Sequence, residues 1–446
     1  MKVLSTLTKK EKSYLFLILA LSFCIKLVLA FTIEVDLRSD SMVYDILAKN
    51  IIELGEYSFE GRTTALLISG YPIFLSGIYF LFGSEQIYIK IIQSLIEIIT
   101  CYLFFLVALK FFDKKYSLIS LTVFAFFPSN ILFSQTVLTE PLFGLLQMSL
   151  LYLCLCGKPA KNVFFIGLLW GAAIMVRSSF ALSVVLIPLY FFYKRKEIFP
   201  ENFSSSIKPV LKYSSLFIIG VFLFLAPWLI RNQVTMGSFT LATQGGFTFW
   251  SGSNPDATGS WYYKIEESDP LFDEKDEVKR DKEFYRRGID YALHNPHKWL
   301  ITGVRKLGYL FSSERMIVLY FIDDPGGEQT STQVYKSANP LFNAMVNIPY
   351  FIVMILGTWG LLAFRKNTFF IYGFILTWMA TIFIFVALAR YHYVLIPFFV
   401  LGAANTIFLG KKLFSELSLT GKIIGAGFTL FLLGVWASEF YLLLKS

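Results

Sequence analysis

Long apolar segments separated by short charged stretches run through most of this chain. A transmembrane helix needs about 20 mainly apolar residues, and about eleven segments meet or approach that length. They are 14–31, 86–111, 116–133, 138–156, 163–176, 180–193, 213–230, 341–364, 368–388, 391–409 and 423–444. Only 16% of the residues are charged, whereas soluble domains average about 25%. The sequence therefore predicts an all-α polytopic membrane protein with about eleven transmembrane helices.

Clusters of lysine and arginine predict the orientation of these helices. The clusters lie before the first predicted span and then after every second one, at 9–12, 114–115, 158–161, 194–196, 365–366 and 411–412. Basic residues are concentrated in cytoplasmic loops, so we expect these clusters and the N-terminus in the cytoplasm and the C-terminus outside. The same rule accounts for the net charge of +9, which therefore implies no nucleic-acid partner.

One further segment, 64–82, is apolar enough to span but does not fit this alternation. If it crossed the membrane, every later basic cluster would change sides. We therefore expect a re-entrant or interfacial element that contains Gly70, Tyr71 and Pro72. The sequence leaves the choice between a re-entrant and a spanning segment open.

The lengths of the outer segments predict three regions. Residues 1–230 form an N-terminal transmembrane catalytic module that includes the first outer loop, 32–85. Residues 231–340 form a small external region, and residues 341–446 contain the C-terminal transmembrane helices. Within the external region, 297–320 mixes aromatic and aliphatic residues with basic ones, which is typical of a helix lying in the membrane interface.

Several arginines lie at or beside span ends on the predicted outer face, where the positive-inside rule disfavours them. They are Arg38, Arg177, Arg231 and Arg390. An ionisable residue at the membrane edge is costly and often functional, and a guanidinium group can bind two phosphate oxygens at once. The alternative is that each side chain reaches towards lipid headgroups, which explains one such residue better than a set. Together they suggest a site for an anionic, lipid-borne substrate.

Acidic residues accompany these arginines. Asp36 and Asp40 follow the first span four residues apart, so on a helical turn they would share a face. A carboxylate there could act as a general base towards a hydroxyl group, although most acids in loops are simply solvated. Glu140 precedes Pro141 at the predicted start of a helix, where an acid is favourable for structural reasons alone. It could equally face the site and organise an arginine or a metal ion.

The external segment 245–259 is rich in glycine and turn-forming residues, including Asn254. It lacks the Gly-Lys-Ser/Thr ending of a P-loop, and no dinucleotide motif supports a nucleotide-sugar donor. It is either an ordinary external loop or a loop that handles carbohydrate with the aromatic residues Trp250, Trp261, Tyr262 and Tyr263.

Together these motifs resemble the integral-membrane GT-C glycosyltransferases that use polyprenyl-phosphate sugars. The resemblance is greatest to bacterial relatives of the protein O-mannosyltransferases and of the lipid A aminoarabinose transferase. The matching stretches lie between residue 36 and residue 397. They are Asp40 to Gly55 with Tyr44, Ala48 and Asn50, Gly70-Tyr71-Pro72, Leu138 to Phe143, Pro227 to Asn232 followed by Gly245 to Gly259, and Arg390-Tyr391.

The resemblance implies a GT-C fold and a set of site residues. Asp40 corresponds best to the catalytic base, with Asp36 as the second candidate, and Arg390 would contact the lipid phosphate. Arg231 and Arg177 are candidates for the same phosphate. Substrate-binding or supporting roles fall to Glu140, Tyr44, Tyr71, His392 and Asn254. The adjacent Asp-Glu pair of eukaryotic protein mannosyltransferases is absent, because Ser41 follows Asp40.

The implied reaction is the inverting transfer of a monosaccharide from a polyprenyl-phosphate donor to an acceptor hydroxyl. It would take place at the outer face of the cytoplasmic membrane, among membrane lipids, during glycan synthesis for the cell envelope. The acceptor is a lipid, a glycan or a protein, and the sequence does not choose among them. No cofactor is assigned, and a divalent metal ion is the alternative to arginine for stabilising the phosphate. Two non-enzymatic alternatives are a flippase for lipid-linked sugars and a subunit of a glycan assembly complex.

Overall fold

The computed structural model describes residues 7–157, 159–199, 207–261, 269–322 and 331–445. Within these ranges the regular structure is almost entirely helical. The two strands, β1 (Ser58–Phe59) and β2 (Arg62–Thr63), form a small antiparallel hairpin in the first outer loop. The prediction of an all-α membrane protein is therefore confirmed.

The helices of the first half of the chain end at the external region. In chain order they are α1 (Lys9–Thr32), α2 (Asp40–Glu53), α3 (Gly70–Phe82), α4 (Gln86–Ala108), α5 (Lys114–Ala125), α6 (Pro128–Leu132), α7 (Glu140–Cys156), α8 (Val163–Val176), α9 (Leu186–Tyr193), α10 (Arg195–Ile198) and α11 (Lys208–Met236). Short 3₁₀ helices cover Phe133–Gln135 and Ser178–Val185.

The second half contains the external helices and the C-terminal spans. The α-helices are α12 (Gly245–Ser251), α13 (Glu277–His294), α14 (Pro296–Leu310), α15 (Arg315–Leu319), α16 (Ser331–Ser337), α17 (Pro340–Leu362), α18 (Phe369–Ile384), α19 (Ile396–Leu409), α20 (Leu413–Glu416) and α21 (Leu419–Lys445). Further 3₁₀ helices cover Pro270–Asp273, Ala389–Leu395 and Gly410–Lys412.

Six helices in the described ranges are long and apolar enough to cross a membrane. They are Lys9–Thr32, Gln86–Ala108, Lys208–Met236, Pro340–Leu362, Ala389–Glu416 and Leu419–Lys445. Helix α5 and the following Pro128–Gln135 would make a seventh span, bent by 58°. The other four predicted spans correspond to apolar helices shorter than 18 residues. The chain is thus a multi-pass membrane protein, and the total of eleven spans stays a prediction.

Helix α3 occupies the segment that did not fit the charge alternation. Its 13 residues are roughly 20 Å long at about 1.5 Å per residue, well short of a hydrocarbon core of about 30 Å. A Cβ atom on Gly70 would lie only 2.3 Å from the carbonyl oxygen of Met175. The start of α3 therefore packs directly against the end of α8.

Two apolar helices are interrupted near their ends. Helix α8 stops at Val176, Arg177 is extended with φ −147°, and the 3₁₀ helix Ser178–Val185 follows. Helix α18 stops at Ile384, and a short non-helical stretch separates it from the 3₁₀ helix Ala389–Leu395. Irregular backbone at membrane depth is tolerated where it lines a cavity. These interruptions place Arg177 and Arg390 beside such a cavity.

Close packing at glycines holds the helices around these interruptions. A Cβ on Gly360 of α17 would lie 1.7 Å from the carbonyl oxygen of Gly402 on α19. A Cβ on Gly167 of α8 would lie 2.2 Å from the carbonyl oxygen of Phe217 on α11. Small residues let membrane helices approach closely, so neither contact would accommodate a larger side chain.

The external region is tied to the first outer loop by side-chain hydrogen bonds. Glu277 of α13 accepts hydrogen bonds from the Ala65 amide at 2.6 Å and the Thr64 hydroxyl at 2.7 Å. Arg38 donates to the Leu319 carbonyl at 3.2 Å. These bonds join the first predicted outer loop to α13 and α15.

The predicted orientation can be tested by labelling single cysteines with a membrane-impermeant thiol reagent. In a variant without the four native cysteines, a cysteine at the exposed Asp256 position should label in intact cells. A cysteine at the Lys194 position should label only after the membrane is opened, because its basic cluster is expected in the cytoplasm. Labelling at 194 but not at 256 would contradict this orientation.

Candidate functional site

A cavity of about 550 Å³ opens where the first outer loop, the interrupted helices and the external region meet. This volume lies within the range of ligand-binding pockets, roughly 300–1,000 Å³. Each of the three predicted regions contributes to its walls. The charged lining residues are Asp40, Arg177, Asp281 and Arg390.

Four charged side chains of alternating sign form a chain at one wall. The carboxylate of Asp40 accepts a hydrogen bond from Nη2 of Arg390. Nε of Arg390 lies 3.9 Å from Oε1 of Glu140, and the same oxygen accepts a 2.7 Å hydrogen bond from Nη2 of Arg177. Glu140 thus holds the two guanidinium groups near each other, and the four formal charges sum to zero.

The members of this chain differ in burial. The Glu140 side chain is fully buried, and those of Arg177 and Arg390 are 10% and 6% exposed. Asp40 is 32% exposed. Buried charges require partners, and each of the three buried groups has one. Of the two acids among these four charged side chains, Asp40 is the one that a substrate can reach more easily, because Glu140 is fully buried.

Both arginines retain an unused donor. Nη1 of Arg177 and Nε of Arg390 are buried without a hydrogen-bond partner among the described residues. Such groups are rare in native proteins, and guanidinium donors match the oxygen atoms of carboxylates and phosphates. Both arginines line the cavity, so these donors are candidates for hydrogen bonds to an anion bound there.

The local backbone at Asp40 explains how this carboxylate reaches the cavity. The preceding Ser39 has a φ of +48° and a ψ of −124°, a conformation that is unfavourable for a residue with a side chain. Strained backbone of this kind often marks functional sites. The Ser41 hydroxyl fixes the turn, because it accepts from the Arg38 amide and donates to the Arg38 carbonyl, both at 2.8 Å.

Asp36 and Asp40 do not share a helical face, in contrast to the expectation from their spacing. Helix α2 begins only at Asp40, and Asp36 lies in a non-helical stretch that follows α1. The side chain of Asp36 is 68% exposed and pairs with Arg38 at 3.2 Å. Asp36 is not among the residues that line the cavity.

Tyr44 and Tyr71 have different positions relative to the cavity. Tyr44 lines it, one helical turn after Asp40. Tyr71 is fully buried behind Tyr44, with ring centroids 5.0 Å apart, and donates a 2.8 Å hydrogen bond to Gln93. Burial raises the pKa of Tyr44 well above its ordinary value, so its hydroxyl stays protonated and available as a donor.

Arg231 lies outside the cavity lining. Its guanidinium group donates to the carbonyl oxygens of Thr64 at 2.7 Å and Tyr57 at 2.9 Å, and it stacks 4.9 Å from the Trp228 ring. These contacts fix the first outer loop against α11. In the structure Arg231 therefore positions this loop, and its predicted contact with a lipid phosphate stays a prediction.

His392 and Asn254 are also buried away from the cavity lining. Nε2 of His392 lies 3.0 Å from a carboxylate oxygen of Glu314, and its Nδ1 lies 3.2 Å from the Leu310 carbonyl. The Asn254 amide donates to the Trp250 carbonyl at 2.8 Å and closes the turn after α12. Neither residue lines the cavity, and their predicted supporting roles stay predictions.

The turn-rich external segment begins at the cavity. Gln244, Gly245 and Thr248 line it, and the carbohydrate-handling role of the segment stays a prediction. Tyr262 and Tyr263, which were part of that prediction, lie outside the described residues.

Lys306 is a structural residue that the sequence did not single out. It is fully buried on α14, and Nζ donates to the carbonyl oxygens of Phe383 at 3.2 Å and Ile384 at 3.0 Å. It therefore caps α18 at the interruption that precedes Arg390. In sequence it resembles the exposed basic residues around it, and only its partners on a distant helix distinguish it.

A pH-dependent contribution to stability is expected from Lys306, which lies outside the candidate spans. Burial lowers the pKa of Lys306 to about 7. Between pH 7 and the ordinary lysine pKa, about 10.4, the unfolded state binds more protons, so stability rises with pH in this window. We expect the unfolding temperature in detergent to rise between pH 7 and 9 in the wild-type protein and to rise less over the same range in Lys306→Met. Exposed Lys298→Met is the control, and equal slopes in all three proteins would contradict the assignment.

No family model matches the sequence, and no curated protein matches it. Among solved structures, the chain is similar to the archaeal oligosaccharyltransferase AglB from Archaeoglobus fulgidus, in complex with an inhibitory peptide and a dolichol-phosphate. The similarity covers 96% of this chain and 55% of that chain, at 14% sequence identity and a TM-score of 0.47. The chain thus spans about half the length of that oligosaccharyltransferase.

Proposed function

We propose that this protein is an inverting glycosyltransferase that moves a monosaccharide from a polyprenyl-phosphate donor to an acceptor hydroxyl at the outer face of the cytoplasmic membrane. The observation that carries the proposal is a cavity at interrupted membrane helices where one accessible carboxylate, Asp40, lies beside Arg390 and Arg177. A base for the acceptor and cations for a phosphate leaving group are the two requirements of this reaction.

The reaction is a single displacement at the anomeric carbon. Asp40 takes the proton from the acceptor hydroxyl, whose oxygen forms the new bond to the anomeric carbon. The bond from that carbon to the phosphate oxygen breaks, and the lipid phosphate leaves with the electron pair. Arg390 and Arg177 stabilise the charge that develops on this oxygen. Attack from the face opposite the leaving group inverts the configuration.

The contact between Asp40 and Arg390 suggests how donor binding prepares the base. Arg390 pairs with the carboxylate of Asp40 in the structure, so each group occupies the other. A phosphate that engages Arg390 competes with this contact and leaves Asp40 free to accept a proton. Glu140 stays paired with Arg177 at 2.7 Å and keeps both guanidinium groups in place.

Apolar residues at the cavity support a lipid-linked donor. Leu182 and Phe239 line the cavity and are 39% and 53% exposed. Exposed apolar surface on a membrane protein faces lipid without cost. A polyprenyl chain could therefore remain in the outer leaflet while its phosphate reaches the arginines, whereas a nucleotide-linked donor would gain nothing from this surface.

The charges at the site are supplied by arginines. Among the described residues, no group of three or more histidine, cysteine, aspartate or glutamate side chains is arranged to hold a metal ion. Asp40 and Glu140 are each engaged by an arginine. No step of the proposed mechanism is therefore assigned to a metal ion.

The proposal is tested with purified protein in lipid nanodiscs. The donors are undecaprenyl phosphates that carry mannose, glucose, galactose or N-acetylglucosamine, and an envelope extract supplies acceptors. We expect acceptor-dependent release of undecaprenyl phosphate with at least one donor. In proteoliposomes, movement of a donor between leaflets without its consumption would instead indicate a flippase. If the protein shows neither transfer nor flipping, a non-enzymatic subunit would be favoured.

A further inference from the structure

A second carboxylate, Asp281, faces the cavity from the external region. It lies on α13, its residue is 8% exposed, and it lines the cavity together with Thr248 and Tyr285. Its Oδ1 accepts a 2.6 Å hydrogen bond from the Gly246 amide. Its Oδ2 accepts no hydrogen bond from another described residue and is not among the fully buried unpaired atoms, so it is open to a ligand in the cavity.

We propose that Asp281, Tyr285 and Thr248 form a subsite that binds the hydroxyl groups of the sugar on the lipid-linked donor. This inference rests on the proposed function and extends it, because it assigns the recognition of the sugar to the external region. A carboxylate accepts strong hydrogen bonds from sugar hydroxyls, and a tyrosine hydroxyl can donate or accept. The arginines then hold the phosphate, and this subsite holds the ring.

The packing of α12 against α13 fixes the subsite. A Cβ on Gly246 would lie 2.0 Å from the Asp281 carbonyl oxygen, and a Cβ on Gly245 would lie 2.4 Å from the Tyr285 hydroxyl. The Tyr285 ring stacks on Phe249 at 5.9 Å. Gly246 therefore leaves no room for a side chain against the α13 backbone, whereas a side chain at Gly245 would displace the Tyr285 hydroxyl. A binding group held by packing recognises its ligand more precisely than one on a mobile loop.

The charge of Asp281 favours a neutral polar ligand over an anion. It makes no ion pair with another described residue, although Arg280 and Lys282 flank it and Glu277 lies one turn earlier on the helix. Burial raises the pKa of Asp281 to about 6, so the group is mostly charged at neutral pH. A carboxylate that no cation pairs with directly repels phosphate but accepts hydrogen bonds from hydroxyl groups, which carry no charge.

The test compares lipids that differ only in the sugar. Dissociation constants are measured in nanodiscs for undecaprenyl phosphate and for its mannose, glucose, galactose and N-acetylglucosamine derivatives. We expect at least one sugar to strengthen binding to the wild-type protein. Asp281→Asn should weaken binding of that donor about tenfold, because it removes a charged acceptor, and should leave the bare lipid phosphate unchanged. Tyr285→Phe should weaken the same donor by a smaller factor.

The control is Asp290→Asn, the same substitution at an exposed acid on the same helix, which should bind every lipid as the wild type does. If Asp281→Asn does not fold, Tyr285→Phe decides. If the folded variants bind the donor with wild-type affinity, or if only acceptor binding is weakened, the subsite proposal is wrong while the transferase proposal stands. A wild-type protein that neither distinguishes nor consumes any donor would refute both.

Discussion

Replacement of Asp40 by asparagine is expected to lower turnover at least about 100-fold. This is the lower end of the range for the contribution of a general base, about 100- to 10,000-fold. The substitution preserves the size of the side chain and its position at the start of α2, but asparagine cannot take the acceptor proton. It also removes the carboxylate that pairs with Arg390. We therefore expect donor affinity to be unchanged or higher while turnover falls. Release of undecaprenyl phosphate and donor binding are measured on the same preparation.

Asp36→Asn is the matched control for this experiment. Asp36 lies four residues away, is largely exposed and does not line the cavity, so turnover should stay near that of the wild type. An inactive Asp36→Asn with a nearly normal Asp40→Asn would transfer the role of base to Asp36. Normal turnover in both variants would rule out the mechanism. Unfolding temperatures of both variants separate lost catalysis from lost folding.

The fold class could be predicted from sequence because membrane insertion depends on a local property. A run of apolar residues long enough to cross the hydrocarbon core is visible without any tertiary information. The number of spans was harder to predict from the sequence. Several apolar segments are broken into shorter helices, such as α8 and α18, and their interruptions depend on packing against other elements. Arg177 and Arg390 marked those interruptions because arginines at outer span ends conflict with the positive-inside rule.

The same local evidence could not separate Arg231 from Arg390. Both arginines end an apolar segment on the predicted outer face. The structure separates them because Arg231 donates a hydrogen bond to the Thr64 carbonyl, which is 167 residues away in sequence and could not be identified from local sequence. Asp281 was missed for the opposite reason. It belongs to a strongly charged helix, where an acid is normally solvated, and only the approach of α12 buries it beside the cavity.

Arg390→Lys is expected to bind and use the donor poorly despite keeping the positive charge. The guanidinium group contacts Asp40 and the Tyr320 hydroxyl and lies 3.9 Å from Glu140. A lysine ammonium is a compact charge without the planar fork that serves several oxygen atoms at once. Loss of one donor aimed at developing charge typically costs about 100- to 1,000-fold in turnover, and we expect a loss in this range.

The outcome distinguishes phosphate binding from attraction to lipid headgroups. If Arg390 only reached towards headgroups, lysine would serve almost as well, because its long stem and ammonium group also reach the interface. The buried position of Arg390, 6% exposed, argues against that role. Arg365→Lys, at an exposed residue in a basic cluster of the predicted cytoplasmic face, should have no effect on turnover. Normal turnover and donor affinity in Arg390→Ala would exclude the phosphate role, and Arg177 would then be the next arginine of the cavity to test.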